Sequence, residues 1–457
     1  MTKTRKATRA RKAVEIIPYA PRLSHSLRDE GHDFVTAVAD LVDNSIEFGA
    51  TVVDLQVEFN GNNSWIRIAD NGEGMTAKEI IEAMRYGSRR SYDKDALGKF
   101  GLGLNLASMS QCQKMSVASR SNPDRISIIG YCWDQEFVDK TRRWLVYPLE
   151  RSDVTDIIRA PLKSTTGTVV LWERLDRILG YTSPYGEFAR KKLASMSREL
   201  EKHLAMVFHR FISGETHRRK LKIILNGNLI KPWDPFARNE PKTKVLEPIN
   251  IPLEYEGSKG EIRIQPYILP PQSGFSSPEA FRDASGPANW NQQQGFYFYR
   301  SDRLVQAGGW CRLRTIDEHT KLARVAILFP PKLDEAFKIN ISKTRVQLPY
   351  QIREQVAEEV KSIVKIARDI YDKSERRPVP PSMPIGAAGT PTSSTNVGAQ
   401  QGKPSDITMS EQPVTQQSWT LDDIQNKLED VATAAEKPVI QTVCNRFREQ
   451  ISIQEHS

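Results

Sequence analysis

Cysteine is scarce in this chain of 457 residues: Cys112, Cys132, Cys311 and Cys444 lie far apart, with no CxxC pair. That spacing excludes a zinc ribbon and a disulfide framework, and it fits a reducing compartment. Apolar runs near the ~20 residues that a bilayer demands are also missing. The basic N-terminus leads into no apolar segment of the kind a signal peptide needs. A soluble, cytoplasmic chain is therefore expected. No G-x-x-x-x-G-K-[ST] occurs, which rules out a P-loop. Nor does any strand run directly into a GxGxxG turn, which rules out a Rossmann site. Internal repeats are absent as well.

Charge is present in quantity and unevenly placed. The net charge is +9, and "MTKTRKATRARK" alone supplies Lys3, Arg5, Lys6, Arg9, Arg11 and Lys12 without one acid. Such an arm can hold phosphate backbones or anionic surfaces, or act as a solubilising tail. The chain is long enough for roughly three domains, and its pattern divides it into five segments. Residues 1–20 form the basic, disordered arm, and residues 21–180 alternate helices with strands. Residues 181–374 form a second α+β region with its own core, opening with one long helix, "GEFARKKLASMSRELEKHLAMVFHRFI", and continuing through strand-like "KLKIILNG", "EIRIQPYIL", "GFYFYR" and "RVAILFP". Residues 375–417, rich in Pro, Gly, Ser, Thr and Gln, cannot bury enough surface to order themselves and read as a linker. Residues 418–457 repeat Trp419, Leu421, Ile424, Leu428 and Val431 at helical spacing, which predicts a short helical module.

Within 21–180, "TVVDLQVEF" alternates Val53, Leu55, Val57 and Phe59 with Asp54, Gln56 and Glu58, as a half-buried strand does. Thr76 and Glu79 stand at capping-box spacing. The chemistry lies in three stretches. "ADLVDNSIEFGA" sits in a helix expected from about Asp33 to Phe48, where Asp40, Asn44 and Glu47 share a face with Asp43 at its edge. "IADNGEGM" delivers Asp70 from a strand end into a turn with Gly72 and Gly74, where backbone can approach a ligand closely. A carboxylate there can accept from an exocyclic amine. "GKFGLGLNLASMS" brings Gly98, Lys99, Phe100, Gly101, Leu102 and Gly103 to a helix start, where free N–H groups can cradle phosphate.

In this order the three stretches resemble the gyrase, heat-shock chaperone, histidine kinase and MutL (GHKL) superfamily of ATPases, over about Pro21 to Leu175. The resemblance implies an α+β architecture with an N-terminal Bergerat-type α/β sandwich. It implies that Asp40 orients the attacking water and that the Asn44 side chain holds Mg²⁺. Asp70 would bind adenine, with Gly72, Gly74 and Met75 lining the base, and residues 98–103 would form the phosphate lid. Thr168 of "TTGTVVLW" is similar to the family's late threonine at the adenine site. One departure stands out: most hydrolysing members carry Glu where this chain has Asp40. A carboxylate one methylene shorter must approach its water differently, or hydrolyse slowly. Asp43 and Glu47 are backup candidates for that role and are expected to be solvated neighbours.

The second region resembles the transducer domain that follows the ATPase in gyrase, MutL, the ninety-kilodalton heat-shock chaperones and microrchidia (MORC) proteins. "FKINISKTRVQLP" is similar to the segment that projects a cation onto the γ-phosphate, with Lys343 first choice and Arg345 second. "GFYFYRSDRLVQAGGW" resembles microrchidia chains. Chain length points the same way, against histidine kinases, topoisomerases and MutL. The expected function is a Mg-ATP-hydrolysing clamp that forms a homodimer on binding ATP. DNA or another nucleic acid is a candidate partner through the arm, "HRRKLK" (His217 to Lys222) and Arg89–Arg90. Alternatives are a non-hydrolysing scaffold and a chaperone-like remodeller.

Overall fold

The structure, a computed structural model, describes residues 16–29, 32–87, 103–179, 185–340, 343 and 345–375, and then 425, 441–442 and 444–445. The chain forms two compact units, Met1–Pro381 and Ser382–Ser457. The described residues of the second unit are helical. The basic arm up to residue 15, Arg89–Arg90, the linker and most of the C-terminal module lie outside the described residues, as do Gly98, Lys99, Phe100, Gly101 and Leu102.

Two sheets organise the first unit. The larger comprises β1 (Val52–Glu58), β2 (Trp65–Asp70), β3 (Lys114–Arg120), β4 (Ile129–Asp134), β5 (Tyr147–Pro148), β6 (Gly167–Glu173), β7 (Lys222–Leu225) and β8 (Asn228–Leu229). Their order is β5-β4-β3-β6-β2-β1-β7-β8. Neighbours are antiparallel except β1 and β7, which run parallel from Val52↔Lys222 to Leu55↔Leu225. The strand-like "KLKIILNG" thus joins the sheet built by the first region instead of the second sheet. It does so because β1 would otherwise end the sheet with unpaired backbone groups.

Alternation along these strands divides the core in two. Ile68, Val170 and Trp172 pack into one cluster, while Ala69, Val169 and Leu171 pack into the other. The first face is covered by α1 (Ala20–Asp29), α2 (Phe34–Glu47), α4 (Gly103–Met109) and α7 (Glu187–Val207), with Ile80 of α3 (Ala77–Ala83) and Val138 of α5 (Gln135–Thr141) in the same cluster, while α6 (Asp156–Leu162) packs on the other face. The second face takes Ile158 and Leu162 of α6. Helix α7 buries Ala189, Leu193, Leu200 and Leu204 against the same cluster as α2, at the spacing of a single helical face. It stops at Phe208, and α8 (His209–Ser213) follows.

The smaller sheet holds β9 (Lys244–Val245), β10 (Ile249–Tyr255), β11 (Ser258–Ile268), β12 (Gly295–Arg300), β13 (Arg303–Ala307) and β14 (Ala323–Phe329). Its order is β10-β11-β14-β12-β13, with β9 also on β11. Beyond a short α9 (Pro278–Ala284), the closing α10 (Tyr350–Glu375) packs Ile352, Val356, Val360, Ile363 and Ala367 on this sheet's core. Each of these Ile and Val side chains contributes about 1.5–3 kcal/mol by leaving water. The observed architecture is the expected α+β one.

Candidate functional site

Helix α2 is the spine of the site. Asp33 caps it by accepting the Thr36 N–H at 2.8 Å, and Phe48 closes it, as its sequence pattern predicts. Its apolar residues Ala37, Val38, Leu41, Val42 and Ile46 are buried, which fixes the direction of the polar ones.

At the C-terminal end of α2 lies a pocket built on neutral hydrogen bonds and close backbone packing. Asp70, at the end of β2, accepts Gly72 N–H at 2.9 Å and Thr168 N–H at 3.2 Å on Oδ1. Its Oδ2 accepts the Ser45 hydroxyl at 3.1 Å. Burial pushes the Asp70 carboxyl above the usual carboxylate range, although those hydrogen bonds oppose it. Ser119 ties the walls together: its Oγ donates to the Gly167 carbonyl at 2.6 Å, accepts Met75 N–H at 2.7 Å and lies 3.1 Å from Thr168 Oγ1. Two glycines permit this closeness. Gly167 has φ 147°, and a Cβ there would fall 1.9 Å from the Asp70 carbonyl oxygen; Gly74 has φ 74°, and its Cβ would meet the Arg120 carbonyl at 2.2 Å. Met75 and Thr168 remain half-buried, so a flat, hydrogen-bonding ligand can reach them.

About 8 Å back along α2, by helical rise, the character changes from neutral to ionic. Asp40 and Asp43 are buried, at 2% and 1% exposure, so Asp43 is not the solvated neighbour its wheel position suggested. The correction has a physical cause: two cations from the second region supply the counter-charge that water would otherwise provide. Lys343 Nζ stands 2.6 Å from Asp43 Oδ2 and 3.4 Å from Asp40 Oδ1. Arg303 Nε donates to Asp43 Oδ1 at 2.9 Å, and its outer nitrogen lies 3.9 Å from Asp40. His32 Nδ1 lies 3.1 Å from Asp40 Oδ2, off the line of a hydrogen bond. Burial alone would raise the Asp40 carboxyl, but Lys343, His32 and Arg303 outweigh it and hold it below its usual range. His203, on α7, is pushed down to about 4 by burial and by Arg303.

Local geometry explains how the two cations arrive. Ser301 and Asp302 both have positive φ, 47° and 66°, so a two-residue hairpin turn joins β12 to β13 and sets Arg303 at its exit. Lys343 itself has φ 49°, a left-handed backbone that costs a non-glycine residue about 1–3 kcal/mol and marks an over-determined position. Arg345, the second choice, is exposed, and its N–H donates to Asn340 Oδ1 at 3.0 Å.

Asn44 lies between the two pockets on α2, half-buried, and its side-chain amide has no hydrogen-bond partner among the described residues. One free amide oxygen suits Mg²⁺, which keeps several waters and shares itself with phosphate oxygens. Gly103 begins α4, with open space where a Cβ would stand. Glu47 pairs with Arg218 at 3.3 Å, beside a cleft of about 550 Å³ that Thr166, His217 and Arg219 also line. Arg218 of the basic run is therefore engaged, while Arg219, Lys220 and Lys222 are exposed.

Residues that the motifs left unnamed complete both pockets. Ser45 was legible as the next polar residue after Asn44. Ser119, His32 and His203 carry no local signal. Arg303 follows a Ser-Asp pair between strand-like runs, a hairpin cue that could have pointed to it.

With this geometry in hand, comparison with known proteins is specific. Residues 32–168 match the family model described as histidine kinase-, DNA gyrase B- and HSP90-like ATPase, so the chain carries a GHKL-type ATPase domain there. The match supports ATP binding. At the level of whole proteins, the chain is similar to the DNA mismatch repair protein MutL of Salmonella arizonae, 26% identical over 247 residues, which is 52% of this chain and 35% of that protein. MutL of Salmonella heidelberg and of Salmonella schwarzengrund match at the same identity and coverage. The chain thus spans about a third of the length of these curated relatives. They lie in a branch that chain length disfavoured, not in the microrchidia branch. No helix among the described residues is long and apolar enough to cross a membrane.

Proposed function

We propose that the protein binds Mg-ATP along α2, hydrolyses it, and works as an ATP-gated dimeric clamp, with DNA as the partner it closes on. The observation that carries this reading is the reach of Lys343 from beyond the second sheet to within 2.6 Å of Asp43 on the ATPase helix. A cation so placed can exchange a carboxylate for an anionic phosphate, which links nucleotide occupancy to the arrangement of the two regions.

In this reading Asp70 accepts a hydrogen bond from the exocyclic amine of adenine, and Thr168 and Met75 line the base. Asp40 orients the attacking water. Asn44 holds Mg²⁺ through its amide oxygen; the metal, when bound, neutralises charge on the phosphates. Gly98, Lys99, Phe100, Gly101, Leu102 and Gly103 enclose the phosphates. Lys343 senses the terminal phosphate after leaving Asp43. DNA is supported by the name of the MutL relatives and by the exposed cations Arg219, Lys220 and Lys222. The relatives favour a mismatch-repair-like branch over a microrchidia-like one.

The test is steady-state ATP turnover of the wild type against Asp40→Ala, together with particle size in a non-hydrolysable ATP analogue, with and without duplex DNA. Turnover lost in the variant and doubled size with the analogue are expected. Equal background rates would sink hydrolysis and leave a nucleotide-ordered scaffold, the reading favoured by the engagement of Asp40 with Lys343 at 3.4 Å. DNA affinity without a salt slope would remove DNA as the partner and favour a polypeptide client.

A further inference from the structure

The Asp40 carboxylate divides its oxygens between two kinds of partner. Oδ1 faces the cations, 3.4 Å from Lys343 Nζ and 3.9 Å from Arg303, whereas Oδ2 faces the His32 imidazole at 3.1 Å. Lys343 is held by a residue-length reach from another region, and the proposed function requires it to move. His32 is held locally. Its carbonyl accepts Gln111 Nε2 at 2.7 Å, and the residue after it caps α2. Its side chain is 6% exposed, and Nδ1 is buried without a hydrogen-bond partner of good geometry among the described residues. A buried imidazole N–H has a strong reason to complete the bond to the one carboxylate beside it. Sites of this kind are commonly loose before substrate binds and tighten with it.

We propose that His32 is a positioning residue for Asp40: its Nδ1 grips Oδ2 and aims Oδ1 at the water once Lys343 withdraws. This answers the missing methylene. A glutamate reaches its water by length, whereas the shorter Asp40 must be steered, and an orienting hydrogen bond from a fixed ring does that. The histidine also keeps the carboxylate partnered when the cation leaves, so Asp40 does not become a bare buried charge. The inference rests on the hydrolysis reading above and adds to it a residue outside the motifs.

Three variants test it, with kcat and KM for ATP, affinity for a non-hydrolysable analogue, and melting temperature measured on the full chain. His32→Ala should lower kcat about tenfold to a hundredfold, as loss of an orienting partner does, while KM and analogue affinity stay at wild-type values. His32→Asn should recover most of kcat, because its Nδ2 stands where the histidine Nδ1 does. His32→Gln, whose amide follows the other ring nitrogen, should not. A His32→Ala enzyme with wild-type kcat overturns the proposal, as does His32→Asn no better than His32→Gln, or a loss that falls on KM. If His32→Ala does not fold, the Asn and Gln pair decides. A wild type that turns over no ATP overturns the hydrolysis reading and this inference together; turnover that survives His32→Ala overturns this inference alone.

Discussion

Two pockets share helix α2 and are stabilised by opposite physics. The Asp70 pocket is neutral in design: backbone N–H groups, hydroxyls and glycines converge on one carboxyl, which burial pushes toward its protonated form. The Asp40–Asp43 pocket is ionic, with two acids facing Lys343 and Arg303, and the Asp40 acid is held toward its charged form. The first closes with residues drawn from 45 to 168, all inside the matched ATPase domain. The second closes only when residues 303 and 343 arrive from beyond it. In the proposed reading, recognition of a base is complete in one domain, while the charged end depends on the other region being in place.

The largest effect should come from breaking the ionic pocket. Asp43→Ala leaves Arg303 and Lys343 buried with only the more distant Asp40 as a shared partner, and about 3–5 kcal/mol of stability should be lost in urea denaturation. Adding Arg303→Met should restore part of it, since the two sites are coupled. Costs that simply add would show that the pair does not interact. Next is the neutral pocket. Gly167→Ala forces a side chain onto φ 147° and against the Asp70 carbonyl, at a cost of at least about 1–3 kcal/mol. Binding of a fluorescent ATP analogue should fall with it, whereas the coupling energy between Asp43 and Arg303, a property of the ionic pocket, should not change. Wild-type affinity in this variant would detach Gly167 from the nucleotide site.

The effect smallest at neutral pH, visible only on acidification, separates the pockets. His203, beside the ionic cluster, has a folded-state value of about 4 against 6.5 for an ordinary histidine. The unfolded chain therefore binds this proton first, so stability falls as pH drops from about 6.5 toward 4. His203→Gln should flatten that part of the stability profile without changing it above neutrality. An unchanged slope would mean that His203 does not titrate there. His209, buried and pushed down to about 3, gives the same sign and should leave a residual slope.

The division between pockets also explains what could be read from residues alone. Helix α2 and its approximate bounds, the β1 alternation, the Thr76–Glu79 capping box and the aromatic β12 were legible because short-range patterning dictates them. Asp70 and its glycines were legible because a strand-end carboxylate followed by close backbone turns is a local arrangement. Asp43 was misread as solvated because a helical wheel registers only its own helix, and the cations that bury it are 260 and 300 residues away. The split of α7 and α8 at Phe208 was hidden by continuous helical periodicity. Strand β7 was visible as a strand, but its partner was not, since pairing between distant segments leaves no periodic trace.

That last strand has a consequence for how the chain can be divided. β7 hydrogen-bonds along β1 from Val52 to Leu55, and α7 supplies Leu193, Leu200 and Leu204 to the core under the same sheet. A cut at residue 180, the natural seam by composition, would therefore strip a wall from the domain that carries the motifs and bare a ladder of unsatisfied amides and carbonyls. The folding unit of this ATPase-type domain is longer than the matched stretch: a fragment meant to stand alone should run through Leu229.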